Sequence, residues 1–278
     1  MAYSKNKKIV LIGDTGLLSK ELNESLKKQN ISFIRISITR KDNIKTKEEL
    51  YKILQKNLDL INSYILINCL ASLKPKNKSD CYVNEKLPQD LLTYPTKDPC
   101  ILIQFSSNNI LNNQLKDKYS IQKKNAEAKI LEIKNAKYKL IRLPLLLPKK
   151  DFYKENIPKQ FRLLMRFIDI PYISFVPPSR NIYKPIKIQE VVYLTLSKIN
   201  NYEKNEKNEV ININGNKEMN LLEISKLLLS NNKERRNNIF FQIPIPWKVL
   251  DFFIYNFPNI LNLLERNTTL QQLLFIRR

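Results

Sequence analysis

Lys7-Lys8-Ile9-Val10-Leu11-Ile12-Gly13-Asp14-Thr15-Gly16-Leu17-Leu18-Ser19 is the most informative segment of the chain. Its apolar run, rich in β-branched residues and entered directly from a polar stretch, predicts a buried parallel strand. Gly13 and Gly16 are two of only three glycines in 278 residues. Glycine at these positions lets the chain turn tightly and brings bare backbone N–H groups against an anion. From Leu17 to Leu26, residues Leu18, Leu22, Ser25 and Leu26 recur at helical spacing. Strand, glycine turn and helix start together make the phosphate-binding corner of a dinucleotide fold. The third position of that fingerprint carries Ser19 instead of glycine or alanine. An ordinary tight turn between strand and helix also uses glycine, but so sparing a use of it favours the nucleotide reading.

Working outward, further strands are expected at Ile31 to Ile38, Tyr64 to Asn68, Cys100 to Phe105 and Tyr138 to Leu143. Helical patterns lie between most of them, including Lys47 to Leu58 and Ser120 to Ile133. This alternation predicts right-handed βαβ units and a parallel sheet. After Pro144 the texture changes, with prolines accumulating and elements shortening. A helix at Lys187 to Ile199 is read as returning to the sheet. A short strand follows at Val210 to Ile213 and a helix at Asn220 to Leu229.

The expectation is an α/β, Rossmann-type doubly wound parallel sheet with a small C-terminal substrate lobe. Residues 1–147 would form the dinucleotide-binding core, with 185–200 returning to it, and residues 148–184 and 201–278 the lobe. Trp247 to Phe257 is strongly apolar but too short to span a bilayer, so it is read as capping the lobe or lying on a membrane surface.

Composition narrows the function classes. The formal charge is +22, from 48 basic and 26 acidic residues. Those charges are spread along the chain instead of forming a stripe, which argues against nucleic acid as the main partner. The chain has no histidine, which excludes histidine triads, histidine-ligated metals and histidine general bases. Cys69, Cys81 and Cys100 lack metal-ligand spacing, so no metal is expected, and they read as reduced core residues of a cytoplasmic protein. The polar start leading straight into a strand does not resemble a signal peptide.

Tyr119-Ser120-Ile121-Gln122-Lys123 sets a phenol and an ammonium one helical turn apart on one face. An unperturbed tyrosine ionises near pH 10. A lysine cation held close is expected to favour the phenolate, so that Tyr119 exchanges a proton with a carbonyl oxygen near neutrality. The same spacing recurs at Tyr3/Lys7, Tyr82/Lys86 and Tyr183/Lys187. Only Tyr119 follows a strand that ends in hydroxyls, at Ser106 and Ser107, within one βα unit. A hydroxyl at the carboxyl end of a parallel strand lies where such folds bind ligands, and Ser107 there can hydrogen-bond a substrate carbonyl.

Taken in order, the glycine turn, Asn68, the serine pair and Tyr-x-x-x-Lys resemble the extended short-chain dehydrogenase/reductase superfamily. More narrowly the chain is similar to NAD(P)-dependent epimerase/dehydratase and dTDP-4-dehydrorhamnose reductase-like sugar-nucleotide proteins. Ile65-Leu66-Ile67-Asn68-Cys69-Leu70-Ala71, Val83-Asn84, Tyr119 to Glu127, Ile141-Arg142 and Lys184 to Val192 carry the likeness. The resemblance implies Tyr119 as general acid/base, Lys123 as its electrostatic partner and a ribose contact, and Ser107 as the third catalytic residue. It also implies that Gly13, Gly16 and Leu17 flank a pyrophosphate and that Ala71 lines the cofactor cleft. Ser107 and Tyr119 stand only 12 positions apart, about half the family's separation, so a substrate-facing loop is short here. Leu147-Pro148 replaces the expected Gly-Pro after Arg142.

The second strand is followed by Thr39-Arg40-Lys41, without the acidic residue that binds a ribose 2′-hydroxyl. Cations there suit a 2′-phosphate, so NADP is preferred over NAD, with Arg40 as its contact. The expected activity is an NADP-dependent reductase or epimerase acting on a nucleotide-linked sugar, for surface polysaccharide. The alternative is a non-catalytic dinucleotide-binding protein whose basic or apolar C-terminal surface holds a protein or membrane partner. A homodimer and a peripheral membrane contact through 247–278 complete the partner expectations.

Overall fold

The computed structural model describes residues 7–13, 15–112, 117–149, 161, 164, 173–176, 182–200, 207–231 and 241–244. The expected apolar segment at 247–257, with the membrane or lobe contact read from it, lies outside them, as do Tyr3 and Asp14.

Strands β1 (Lys7–Ile12), β2 (Phe33–Ile36), β3 (Ser63–Asn68), β4 (Ile101–Ser107), β5 (Lys137–Leu143) and β9 (Glu209–Asn212) form one sheet in the order β2-β1-β3-β4-β5-β9. Every neighbouring pair is parallel. The alternation of the central strands explains why they are apolar on both sides. Val10, Ile12, Leu66, Leu102 and Leu140 join one buried cluster, together with Leu50, Leu54, Leu87 and Leu91 from helices. Ile9, Leu11, Ile65, Ile67, Ile101 and Ile103 are equally buried and point to the opposite face.

Helix α1 (Leu17–Lys28) connects β1 to β2 in one direction along the sheet. Helices α2 (Lys47–Gln55), α3 (Lys78–Glu85), α4 (Leu87–Leu92) and α5 (Lys118–Glu132) belong to connections that run the other way. Right-handed crossovers therefore set α1 on one face and the other four on the opposite face. The two directions part between β1 and β3, and open α/β sheets bind ligands outside the carboxyl ends of such a pair.

Local sequence sets the helix limits. The inward face of α1 is Ser19, Leu22 and Leu26, whereas Leu18, expected among the apolar contacts, is only half-buried. Asn30 then takes a left-handed φ of 53°, and the Ile31 N–H closes on the Leu26 carbonyl at 3.0 Å. Helix α2 opens on a capping box between Thr46 and Glu49. Helix α5 opens on Asp117, whose carboxylate accepts from the Ser120 N–H at 3.0 Å and from its hydroxyl at 2.6 Å.

Two ion-pair sets fasten the far side of the sheet. Arg142 on β5 forks onto Glu127 of α5, with contacts of 2.6 to 3.1 Å. Lys139, 2 % exposed, pairs with Glu209 at 3.2 Å, and Lys198 meets the same carboxylate at 2.7 Å. Asn208 adds two bonds to the start of β5, accepting from the Tyr138 N–H and donating to the Ala136 carbonyl. The sixth strand is thus part of the first sheet, contrary to the assignment of all of 201–278 to the C-terminal lobe. An apolar pattern as short as Glu209–Asn212 carries no signal of this polar stitching.

The chain divides into two compact units, Met1–Pro144 with Gln189–Ile213, and Leu145–Ile188 with Asn214–Arg278. Helix α6 (Ile188–Asn200) begins at that division. In the second unit, β6 (Leu146–Leu147) pairs with β8 (Ile186–Lys187), and β7 (Ile173–Val176) with β10 (Phe241–Pro244). Tyr183 and Met219 exchange backbone hydrogen bonds just ahead of helix α7 (Leu221–Asn231). The third glycine, Gly215, belongs here. Its N–H bonds the Lys184 carbonyl, and a Cβ at this position would lie 1.8 Å from the Pro185 oxygen. Among the described residues no helix is long and apolar enough to cross a membrane.

Candidate active site

Gly13 carries a φ of +84°, a conformation that side chains resist, and its N–H bonds the Ile36 carbonyl at 2.9 Å. A Cβ there would stand 2.7 Å from Leu70 Cδ2. The turn is therefore closed against the loop after β3, where the Cys69 N–H bonds the Ile12 carbonyl. Gly16 is different. Its backbone is extended, and a Cβ would meet only the Cys69 oxygen, at 4.0 Å.

Gly16 caps α1 without any side-chain hydrogen bond, no acidic residue occupies the first turn, and Leu17 is the first helical residue. The first N–H groups and positive end of a 12-residue helix therefore carry no side-chain cap at the junction of β1 and β3. That arrangement suits a pyrophosphate. Ser19, the departure from the fingerprint, is 1 % exposed and occupies the inward position that a glycine or alanine takes in the motif. A small side chain suffices to keep helix and strand close. Ala71 is exposed in the loop after β3.

Arg40 begins the 3-10 turn after β2 and reaches that same loop. Its guanidinium donates to Ser72 Oγ at 3.2 Å and stands 3.4 Å from a carboxylate oxygen of Asp80. Asp80 is buried and also accepts from the Lys76 N–H. Although two of its guanidinium nitrogens are engaged, the Arg40 side chain stays 68 % exposed, which leaves its outer edge open to an anion.

Tyr119 and Lys123 lie on the first turns of α5, with the ammonium 5.9 Å from the centre of the phenol ring. Lys123 is 2 % exposed and donates to the Phe105 carbonyl at 3.1 Å, two residues before Ser107 at the end of β4. Burial brings its pKa down to about 8, opposed by the carboxylate of Glu127 and by Cys69. Tyr119 moves the other way from the sequence expectation. Burial, and then the negative charge of Asp117, push its phenol well above the ordinary tyrosine range. The Tyr119 phenol therefore keeps its proton at neutral pH. Ser107 Oγ accepts from the Asn109 N–H at 3.2 Å, which fixes the hydroxyl at the start of the 3-10 turn after β4.

The competing tyrosines have other work. Tyr82 is buried and donates to Asp90 at 2.7 Å, and Tyr183 belongs to the backbone bridge with Met219. Of the cysteines, all free, only Cys100 is a fully buried core residue; Cys69 and Cys81 are partly exposed. Among the described residues no group of histidine, cysteine and acidic side chains is placed to hold a metal.

Two polar networks escaped the sequence reading. Gln104 is 2 % exposed within β4, accepts from Asn68 Nδ2 at 2.7 Å and donates to the Phe105 carbonyl at 2.7 Å. Asn68 in turn accepts from the Leu70 N–H at 3.1 Å. The carbonyl that holds Lys123 is thereby linked to the leucine packed against Gly13. Asn84, fully buried, clamps both backbone groups of Ser72 at 2.8 Å and donates to Gln122 on α5 at 2.9 Å. A glutamine inside an apolar strand was the available signal for the first of these.

No protein-family model and no curated protein matches the sequence. Solved structures do match. A dTDP-4-dehydrorhamnose reductase from Bacillus anthracis, in complex with NADP, aligns with a TM-score of 0.66 at 14 % identity, over 88 % of this chain and 86 % of that one. A UDP-glucose 4-epimerase from Thermotoga maritima, with UDP-glucose, gives 0.57 at 14 % identity over 87 % of each chain. A GDP-L-fucose synthetase from Naegleria fowleri, bound to NADP, gives 0.60 at 14 % identity over 92 % and 88 %. The chain shares a Rossmann-like α/β fold with these solved structures.

Proposed function

We propose that the protein is an NADP-dependent reductase or epimerase acting on a nucleotide-linked sugar, in the cytoplasm and for surface polysaccharide. The observation that carries this reading is the pairing of Tyr119 and Lys123 on one turn of α5, with Lys123 tied to the strand that delivers Ser107. The open start of α1 fits the pyrophosphate of the dinucleotide, with Gly13, Gly16 and Leu17 around it and Ala71 along the cleft. Arg40, tethered but exposed, suits the 2′-phosphate of NADP in preference to NAD. When bound, the dinucleotide supplies hydride exchange at a substrate carbon.

The chain's own residues handle the oxygen. Ser107 donates a hydrogen bond to the substrate carbonyl. Tyr119, protonated at neutral pH, gives its proton as that oxygen becomes an alcohol. Lys123, still cationic at neutrality, stabilises the phenolate left behind and contacts the ribose. We assign sugar recognition to the C-terminal lobe, expected at 148–184 and 201–278, apart from strand β9.

Calorimetric titration with NADPH and NADH tests the reading, followed by an assay of nucleotide-linked 4-keto sugars that tracks the absorbance of reduced nicotinamide. NADPH is expected to bind more tightly than NADH, and Gly13→Val to abolish binding of both. Failure of both dinucleotides to bind overturns the proposal. Binding without turnover on any nucleotide-linked sugar supports a non-catalytic dinucleotide-binding protein instead, a reading favoured by the short Ser107–Tyr119 separation.

A further inference from the structure

A second cationic feature lies on the outer side of the helix layer. It is a cleft of about 500 Å³ bounded by the stretches before α2, around α3 and at the start of α5. Five of its nine lining residues are lysines: Lys45, Lys76, Lys78, Lys86 and Lys118. All five are exposed, and among the described residues none of them has an ion-pair partner. The one acidic residue in the lining, Glu85, already accepts from Lys129 at 2.9 Å. Of the nearby carboxylates, Asp80 is engaged by Arg40 and the Lys76 N–H, Asp117 by Ser120, Glu49 by the Lys45 N–H and Asp90 by Tyr82, while Glu48 is exposed and acts on Tyr82. None of Gly13, Gly16, Leu17, Arg40, Ser107, Tyr119 or Lys123 lines the cleft.

Five like charges around one concavity repel each other, and screening at physiological salt takes effect only over about 8 Å. A multiply charged anion relieves that repulsion for every lysine at once. Ammonium groups on flexible stems adapt to tetrahedral oxyanions. The volume matches a small molecule and not a macromolecular groove.

We propose that this cleft binds a compact phosphoanhydride chain, from inorganic triphosphate or from the triphosphate end of a nucleotide, as a site separate from the dinucleotide corner. Cys81 lines the cleft and is partly exposed, which provides a local reporter.

The test uses the full chain at physiological salt, with inorganic triphosphate and ATP as probes, each followed by calorimetry and by alkylation of Cys81 read by mass spectrometry. Triphosphate is expected to bind and to slow alkylation of Cys81. K76E/K86E should weaken binding by about tenfold or more, and K76Q/K86Q by less, since both positions are exposed and neither change disturbs packing. Equal affinity for the two probes assigns recognition to the phosphate chain, whereas a tighter ATP complex that also protects Cys81 names a nucleotide as its source. Three results overturn the proposal: no binding at physiological salt, binding that leaves Cys81 reactivity unchanged, or affinity that climbs with the length of an added single-stranded RNA, as for diffuse polyelectrolyte attraction. The cleft and the dinucleotide corner share no residue, so loss of NADPH binding leaves this test standing.

Discussion

Helices α1 and α5 both start at the carboxyl edge of the sheet, and they start in opposite ways. Helix α1 opens on Gly16, with no side chain over its first N–H groups and no acidic residue in its first turn. Helix α5 opens on Asp117, which closes over Ser120 with two bonds. The first leaves its positive end for an incoming anion; the second spends it on its own carboxylate. In α5 the proposed chemistry rests instead on side chains, on Tyr119 and Lys123 in its first turns.

The largest expected effect tests the side-chain half. Tyr119→Phe removes the proton donor but keeps the ring, and turnover should fall by a factor on the order of 10² to 10⁴ with dinucleotide affinity nearly unchanged. Tyr82→Phe, at the same spacing from a lysine, should leave turnover alone, although it forfeits the bond to Asp90 and some stability. Unaltered turnover in Tyr119→Phe would place the proton donor elsewhere.

Next comes the buried ammonium. Its folded pKa of about 8 lies below the ordinary lysine value because burial disfavours the charge. The cost to folding is fully present below pH 8, where folded and unfolded chains are both protonated. It is relieved as pH rises toward 10.5, because the unfolded chain then binds more protons. Lys123→Met should therefore stabilise the fold at pH 7 by roughly 3 kcal/mol, and that advantage should close between pH 8 and 10.5. Paired unfolding curves for variant and parent read the difference, and a gap that widens with pH would contradict it.

Converting one helix start into the other breaks the comparison outright. Gly16→Asp has room for its Cβ and would cap α1 much as Asp117 caps α5. Folding stability should hold or rise, while NADPH affinity falls on the order of a hundredfold as the carboxylate takes the N–H groups and repels the phosphates. Undiminished affinity would mean that the anion binds away from α1. Arg40→Ala should weaken NADPH by about tenfold and NADH hardly at all, and calorimetry of both cofactors measures the ratio. Asp117→Ala should cost about 1 kcal/mol of stability through the lost cap, with no change in dinucleotide affinity at neutral pH.

What the sequence made legible was the part governed by local rules. Apolar runs, the glycine turn and leucine spacing led to β1, α1 and the central strands, because a strand buried on both faces leaves a continuous apolar signature. The pairing of β9 with β5 left none, since Lys139, Glu209, Lys198 and Asn208 look like ordinary polar residues until the chain folds. The site divides in the same way. That Tyr119 and Lys123 would share one helix turn after β4 was legible from spacing, but the direction of the Tyr119 proton affinity was not. That direction depends on burial and on the charge of Asp117, neither of which is encoded in a five-residue motif. Asn84 stood out only as part of a family likeness and Gln104 only as a polar residue in an apolar strand; their partners, more than thirty residues away, were not legible.

The sheet closes on a strand that arrives late. Residues 145–188 intervene between β5 and the stretch that brings back α6 and β9. A ribosome delivering this chain will therefore have released the glycine corner, Tyr119 and Lys123 long before it releases Glu209. Until then the edge of β5 has no neighbour on one side and Lys139 lacks the carboxylate it pairs with. During synthesis the first unit passes through a period with an unpaired strand edge, the state most prone to wrong association. The basic residues along that edge, Lys137 and Lys139, are the kind of charge that discourages premature partners until the sixth strand docks.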